Sequence, residues 1–178
     1  PGQATLESLN LEALARALEI CCDDPSSLAQ LAQRNMDSHG PEAIYLCGEW
    51  LLLHDRQGPA LGLLSQAACA MPEHLLAAHN HAEALRQCGQ YDDAVLEFQR
   101  AIKLQTDFLP SRLALIDLIE QHTLPRLRVI APNLAKDQAK ALGQLLSDTG
   151  NLLYESGQGY PAWDLYKRAL VHDPASAA

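Results

Sequence analysis

The chain repeats itself every 34 residues, and that period restricts its fold more than any other feature. In the stretch GQYDDAVLEFQRAIKL, residues 89–104, Ala94, Phe98 and Ala101 lie four and three residues apart, so they share one helical face. Displaced by 34 residues, Ala94 falls on Ala60 upstream and, two steps downstream, on Ala162. Phe98 falls on Leu64 and Tyr166, and Ala101 on Ala67, Ala135 and Ala169. In the preceding helix Gly48, Ala82 and Gly150 align, as do Leu51, Leu85, Ile119 and Leu153. Pro72 and Pro174 share a closing position. Self-similarity at such a period marks a stack of supersecondary units, none of which can bury its apolar face alone.

Packing explains the choice of residues. Two antiparallel helices cross closely only where a side chain is very small. Gly48, Ala82 and Gly150 provide that clearance on the first helix of each unit, and Ala60, Ala94 and Ala162 on the second. Phe98 and its equivalents are expected to fill the space between a unit and its neighbour. Pro72 and Pro174 end the second helix and turn the chain onward.

The pattern resembles the tetratricopeptide repeat family. Unit 75–108 matches the family at Ala82, Leu85, Gly89, Tyr91, Ala94, Phe98 and Ala101, and departs from it at Ala78 and Thr106. Unit 41–74 matches at Gly48, Leu51, Ala60, Leu64, Ala67 and Pro72. Unit 143–176 matches at Gly150, Leu153, Gly157, Ala162, Tyr166, Ala169 and Pro174. The resemblance implies an all-α fold, a right-handed α-solenoid of antiparallel helix pairs forming one continuous domain.

Two segments depart from the frame. In unit 109–142 Arg128 holds the small-residue position and Pro132 the aromatic one, with Pro125 nearby. A first helix over about 108–122, a short irregular element near 124–131 and a long helix starting near Leu134 are expected. Residues 1–40 read as a degenerate helix pair, with helices near 8–22 and 26–37 that cap or extend the stack. Between them Asp24 is an N-cap and Pro25 the first helical residue. Leu28, Leu31, Ala32 and Met36 form the apolar face of the second helix.

Composition narrows the classes of function. Hydrophobic residues make up 48% and aromatics only 5%, which suits helices packed through small side chains. No apolar run approaches the ~20 residues of a membrane-spanning helix, and no signal peptide is visible. A net charge of −9 argues against nucleic acid, which needs clustered Lys and Arg. Cys21, Cys22, Cys47, Cys69 and Cys88 are odd in number and lack CxxC spacing. They read as reduced, core or near-core residues of a cytoplasmic protein.

No catalytic constellation stands out. In HNHAE, residues 79–83, His79 and Glu83 share a helical face while His81 lies on another, so three metal ligands do not converge. His79 with Glu83 reads as a surface ion pair. Cys21 and Cys22 have no His and Asp nearby in sequence, and Gly89, Gly157 and Gly159 lie in inter-helix turns rather than a phosphate loop. No enzyme, metal or cofactor is expected within these residues.

What remains is a surface. Repeat positions 2, 5, 9 and 12 share one face of each first helix. The family resemblance implies that this face lines a concave groove for extended peptides or helices. Its candidates are Glu42, Tyr45, Glu49 and Leu52, then Leu76, His79, Glu83 and Arg86, then Pro110, Leu113, Asp117 and Glu120, then Gln144, Ser147, Asn151 and Tyr154. Carboxylates outnumber cations five to one. The face is either a solvated helix surface or a groove for a segment carrying Lys or Arg and an apolar anchor. On the sharper reading, Glu49, Glu83 and Asp117 form an acidic stripe, with Tyr45 and Tyr154 as contacts.

Co-chaperone members of the family clamp an acidic C-terminus with Lys and Asn, a role this acidic face does not suit. O-linked N-acetylglucosamine transferases carry an Asn ladder at repeat position 6, where this chain has Leu46, Asn80, Ala114 and Asp148. Three readings follow: a protein-interaction module, the substrate-recruiting N-terminal region of such a glycosyltransferase, or a self-assembly scaffold. The frame places a further first helix at Ala177, so the chain is expected to be a piece of a longer array or to self-associate at this end. Apolar residues among Trp163, Tyr166 and Leu170 are then expected to be exposed.

Overall fold

The computed structural model describes residues 11–21 and 23–174. Cys22 and residues 8–10 of the expected first helix lie outside them, as does Ala177. The described residues form two compact units that divide between Glu97 and Phe98, inside one helix.

In the first unit, α1 (Leu11–Cys21), α2 (Pro25–His39), α3 (Pro41–Leu53), α4 (Gln57–Ala70) and α5 (Leu75–Gln87) follow in order. α6 (Tyr91–Leu104) crosses the boundary between Glu97 and Phe98. The second unit continues with α7 (Leu109–Leu118), a π-helical turn (Ile119–Thr123), α8 (Leu124–Ile130), α9 (Pro132–Glu155) and α10 (Gly159–His172). The 34-residue period governs the helix ends themselves. First helices begin at Pro41, Leu75 and Leu109, and second helices end at Ala70, Leu104 and His172.

Local signals start these helices where expected. Asp24 caps α2, accepting from the backbone N–H of Ser26 at 3.2 Å and of Ser27 at 3.1 Å, with proline opening the helix. Those bonds hold the Asp24 carboxyl below its ordinary range, the Ser27 hydroxyl contributing most. α2 stops at Gly40, which adopts φ +81°.

The turn inside each pair has a common mechanism. Asp55, Gly89 and Gly157 occupy the same repeat position, and all three are left-handed, with φ of 58°, 77° and 82°. The next residue then donates its N–H back into the preceding helix: Arg56 to the Leu51 carbonyl at 2.9 Å, Gln90 to Leu85 at 2.9 Å, Gln158 to Leu153 at 2.8 Å. This is the Schellman closure, which needs a residue tolerant of positive φ. Unit 109–142 has Thr123 at that position, and a β-branched residue resists positive φ. Thr123 stays right-handed at φ −71°, so the chain passes through the π-helical turn into α8 instead of turning back. The short element and the long α9 are thus where the sequence places them, α9 beginning two residues early with Pro132 in its first turn.

The core of the first unit is built by α1–α5, with Leu18, Cys47, Leu51, Ala60, Leu64, Ala67 and Ala77 buried. A Cβ on Gly48 would sit 2.7 Å from Leu64 Cγ, so α3 and α4 touch there through the missing side chain. In the second unit Gly150 plays that part against Tyr166, also at 2.7 Å. In these two pairs the residue at the aromatic position, Leu64 or Tyr166, packs on the glycine of its own pair. Phe98 and Ala94 are fully buried.

The cysteines need a second correction. Cys47 is buried and Cys21 half-buried, but Cys69 and Cys88 are exposed. Cys88 lies past the end of α5 in the turn, and Cys69 lies on the outer side of α4. A thiol is small enough to occupy either kind of position.

Candidate functional site

The first-helix face of the first unit is held together by one polar network. Tyr45, on α3, donates its hydroxyl to Glu49 at 2.6 Å, one turn along. Asn80, on α5, donates to Glu49 at 3.1 Å and to the Tyr45 hydroxyl at 3.0 Å. The Asn80 amide thus ties two successive first helices together beside their contact. The Tyr45 ring is buried and lies 5.2 Å from the His74 ring. Burial pushes the Tyr45 hydroxyl well above its ordinary range, and its bond to the Glu49 carboxylate adds to that, so it remains a donor.

Around this network the sequence candidates are distributed unevenly. Glu42, Glu49, Leu52, His79 and Glu83 are half-buried, while Leu76 and Arg86 are exposed. Glu83 accepts from both ends of the Arg86 guanidinium, at 3.0 Å from Nε, and from Gln87 at 3.2 Å. Burial works against its charge, but these donors outweigh it and hold its carboxyl below the ordinary range. Burial lowers the His79 imidazole, with Glu83 opposing. Arg86 outweighs His79 as the cation against Glu83, while His79 and Glu83, one turn apart, still act on each other electrostatically. His81, on another face, meets Glu97 at 3.4 Å.

In the second unit the acidic candidates are already engaged. Arg168, on α10, reaches Glu120 at 2.6 Å and Asp117 at 3.2 Å, and His172 meets Glu120 at 3.0 Å. Burial opposes the Arg168 charge, yet the two carboxylates raise its pKa above the ordinary value. Asn151 accepts from the Tyr166 hydroxyl at 2.8 Å, and Tyr154 is exposed. Toward the end of the chain Trp163 is 61% and Leu170 43% exposed, whereas Tyr166 is half-covered by its place on Gly150.

Sequence reasoning missed Asn80 as a bridge and Arg168 as the partner of Asp117 and Glu120. Asn80 was visible only as the single Asn at position 6. The Arg168 pairing spans 48 and 51 residues, and no local spacing signals it. Among the described residues, no group of three or more His, Cys, Asp and Glu could hold a metal ion, and no helix is long and apolar enough to cross a membrane.

No protein-family model matches the sequence, and no curated protein matches it either. Solved structures do. MamA is similar with a TM-score of 0.53 at 14% identity, covering 94% of this chain and 92% of that one. YrrB, described as a TPR protein with an unusual peptide-binding site, is similar with a TM-score of 0.50 at 16% identity, covering 97% of this chain and 92% of that one. A Podosopora anserina protein of nearly identical TPR-like repeats gives a TM-score of 0.50 at 13% identity, covering 93% and 96%. At these identities the likeness establishes the fold alone: an all-α stack of antiparallel helix pairs of the tetratricopeptide type.

Proposed function

We propose that this chain is a protein-interaction module, and that the α3–α5 face takes a partner segment carrying Lys or Arg beside an apolar anchor. The observation that supports this most directly is the Tyr45–Glu49–Asn80 network. It holds an anionic carboxylate on a rigid two-helix platform with neutral donors only, so the Glu49 charge is oriented without being cancelled. Glu42 extends the negative field, Glu83 being answered by Arg86, and Leu52 and Leu76 supply apolar surface alongside. Asp117 and Glu120 are answered within their own unit by Arg168 and His172, so the acidic pull on a partner is assigned to the first unit. The buried Tyr45 and the half-buried Leu52 serve as walls rather than protruding contacts. A soluble, non-enzymatic role in the cytoplasm fits this reading.

The test is a titration by fluorescence anisotropy with a labelled peptide bearing two Arg beside two aliphatic residues, against the same peptide with Glu for Arg. The basic peptide should bind, and more weakly as salt rises. Glu49→Gln keeps the acceptor for Tyr45 and Asn80 while removing the charge, so E49Q with E83Q should reduce affinity without loss of helicity. Equal affinity of the two peptides, or of the variant and the parent, would sink the reading.

A further inference from the structure

The charge of this chain is divided unequally. Residues 1–97 hold four Lys and Arg against fourteen Asp and Glu, a net of −10. Residues 98–178 hold nine against eight, a net of +1. Within the second unit, residues 124–140 concentrate Arg126, Arg128, Lys136 and Lys140 with only Asp137 against them. That segment is also where large apolar side chains protrude: Val129 is 82%, Ile130 68% and Leu134 54% exposed. All four cations there are exposed as well.

The repeat explains why this corner is exposed. In the other units a small residue lets the second helix settle against the first and bury its apolar side. Here Arg128 stands at the small-residue position and Pro132 at the aromatic one, and α8 lasts only from Leu124 to Ile130. Its C-terminal aliphatic residues are left outward, flanked by guanidinium groups, and the chain breaks at Ala131 before α9 begins. Exposed Val and Ile side by side are costly in a monomer and commonly mark a contact surface. The corner therefore has the chemistry that the α3–α5 face is suited to receive, cations beside an aliphatic anchor.

We infer that a second copy of this chain is a partner of the α3–α5 face, and that the α8–α9 corner of one copy docks there on the next. The inference rests on the proposed function of that face. The occupant is chosen by charge complementarity: the anionic surface that the corner needs, with Glu42 and Glu49, is present on the same polypeptide at equal concentration. Every copy offers both surfaces. The contact is heterologous and runs head to tail, so it propagates from copy to copy unless the rotation closes a ring. It is distinct from any association through the exposed side of α10.

Two variants test it. R126E/R128E breaks the corner and leaves the face intact. E49Q/E83Q weakens the face and leaves the corner intact. Both change exposed or half-buried charges only, and circular dichroism checks that each remains folded. By light scattering over a concentration series, the parent should grow in mass with concentration, and the association should weaken about tenfold or more between about 0.05 M and about 0.5 M salt. R126E/R128E alone should be monomeric and E49Q/E83Q nearly so. Mixed, they should form a one-to-one dimer and nothing larger, because one intact corner meets one intact face. A parent that stays monomeric, variants that associate like the parent, or a mixture that yields no dimer would each overturn the inference. So would a parent that is monomeric yet binds anionic vesicles through the corner. If the basic peptide still binds the face while the mixture yields no dimer, this inference falls and the proposed function stands. If the peptide fails too, both fall.

Discussion

The ring of Tyr166 rests on α9 at Gly150, where a Cβ would come within 2.7 Å of ring carbon Cε1. One unit of the repeat is closed by that contact, and the equivalent closure in unit 41–74 is Leu64 against Gly48. The two are chemically alike but differ in freedom. Leu64 is fully buried, while Tyr166 is half-exposed and held by Asn151.

That difference orders two substitutions. Gly48→Ala forces a buried leucine and the backbone behind it to move, so it should destabilise by about 1–3 kcal/mol despite the better helix propensity of alanine. Gly150→Ala should cost less, because the Tyr166 ring can swing toward solvent. Urea denaturation of the two variants checks the order.

Gly89 and Asp55 test the turn. A Cβ at Gly89 would meet nothing within 4 Å, so any cost of Gly89→Ala arises from its φ of 77° alone. The expected loss is about 1–2 kcal/mol. Asp55→Gly relieves the same conformation at the equivalent position but adds unfolded-state freedom, so its effect should be small, within about 0.5 kcal/mol. Similar melting of all three proteins would contradict a shared left-handed closure.

Phe98 is fully buried on α6 between Ala94 and Ala101. Phe98→Ala removes a large side chain from a packed interior and should cost about 3–5 kcal/mol. Ala94→Leu overfills the same interior and should cost about 1–3 kcal/mol. Thermal unfolding with unchanged midpoints would mean that the repeat register at this helix is wrong.

The cysteines should separate by reactivity. Burial pushes the Cys47 thiol up to about 11, whereas Cys69 and Cys88 are exposed. Titration with a thiol reagent at neutral pH should label Cys69 and Cys88 in the native protein and Cys47 only after denaturant is added. Labelling mapped by mass spectrometry distinguishes the sites. Native labelling of Cys47 at the same rate as Cys69 would show that the α3–α4 core opens readily.

The sequence by itself determined the period, the helix boundaries that follow from it, and the break at unit 109–142. These are local matters. A cap such as Asp24, a left-handed glycine such as Gly89 and a proline such as Pro132 each act on neighbouring residues, so their signals can be read in order along the chain. Helical periodicity also groups the first-helix candidates on one face, but it gives no sign that Tyr45 on that face is buried. Only the tertiary structure decided which of those residues keep an open charge. Glu49 is oriented by Asn80, which lies 31 residues away, and Glu120 is taken by Arg168, which lies 48 residues away. Such pairings depend on how a later helix is rotated about its axis when it packs. Side chains that share a face on one helix carry no record of what the next helix presents to them. For the same reason the sequence placed Leu64 and Tyr166 on the right faces, yet their close approach to Gly48 and Gly150 emerged only when two helices were brought within contact.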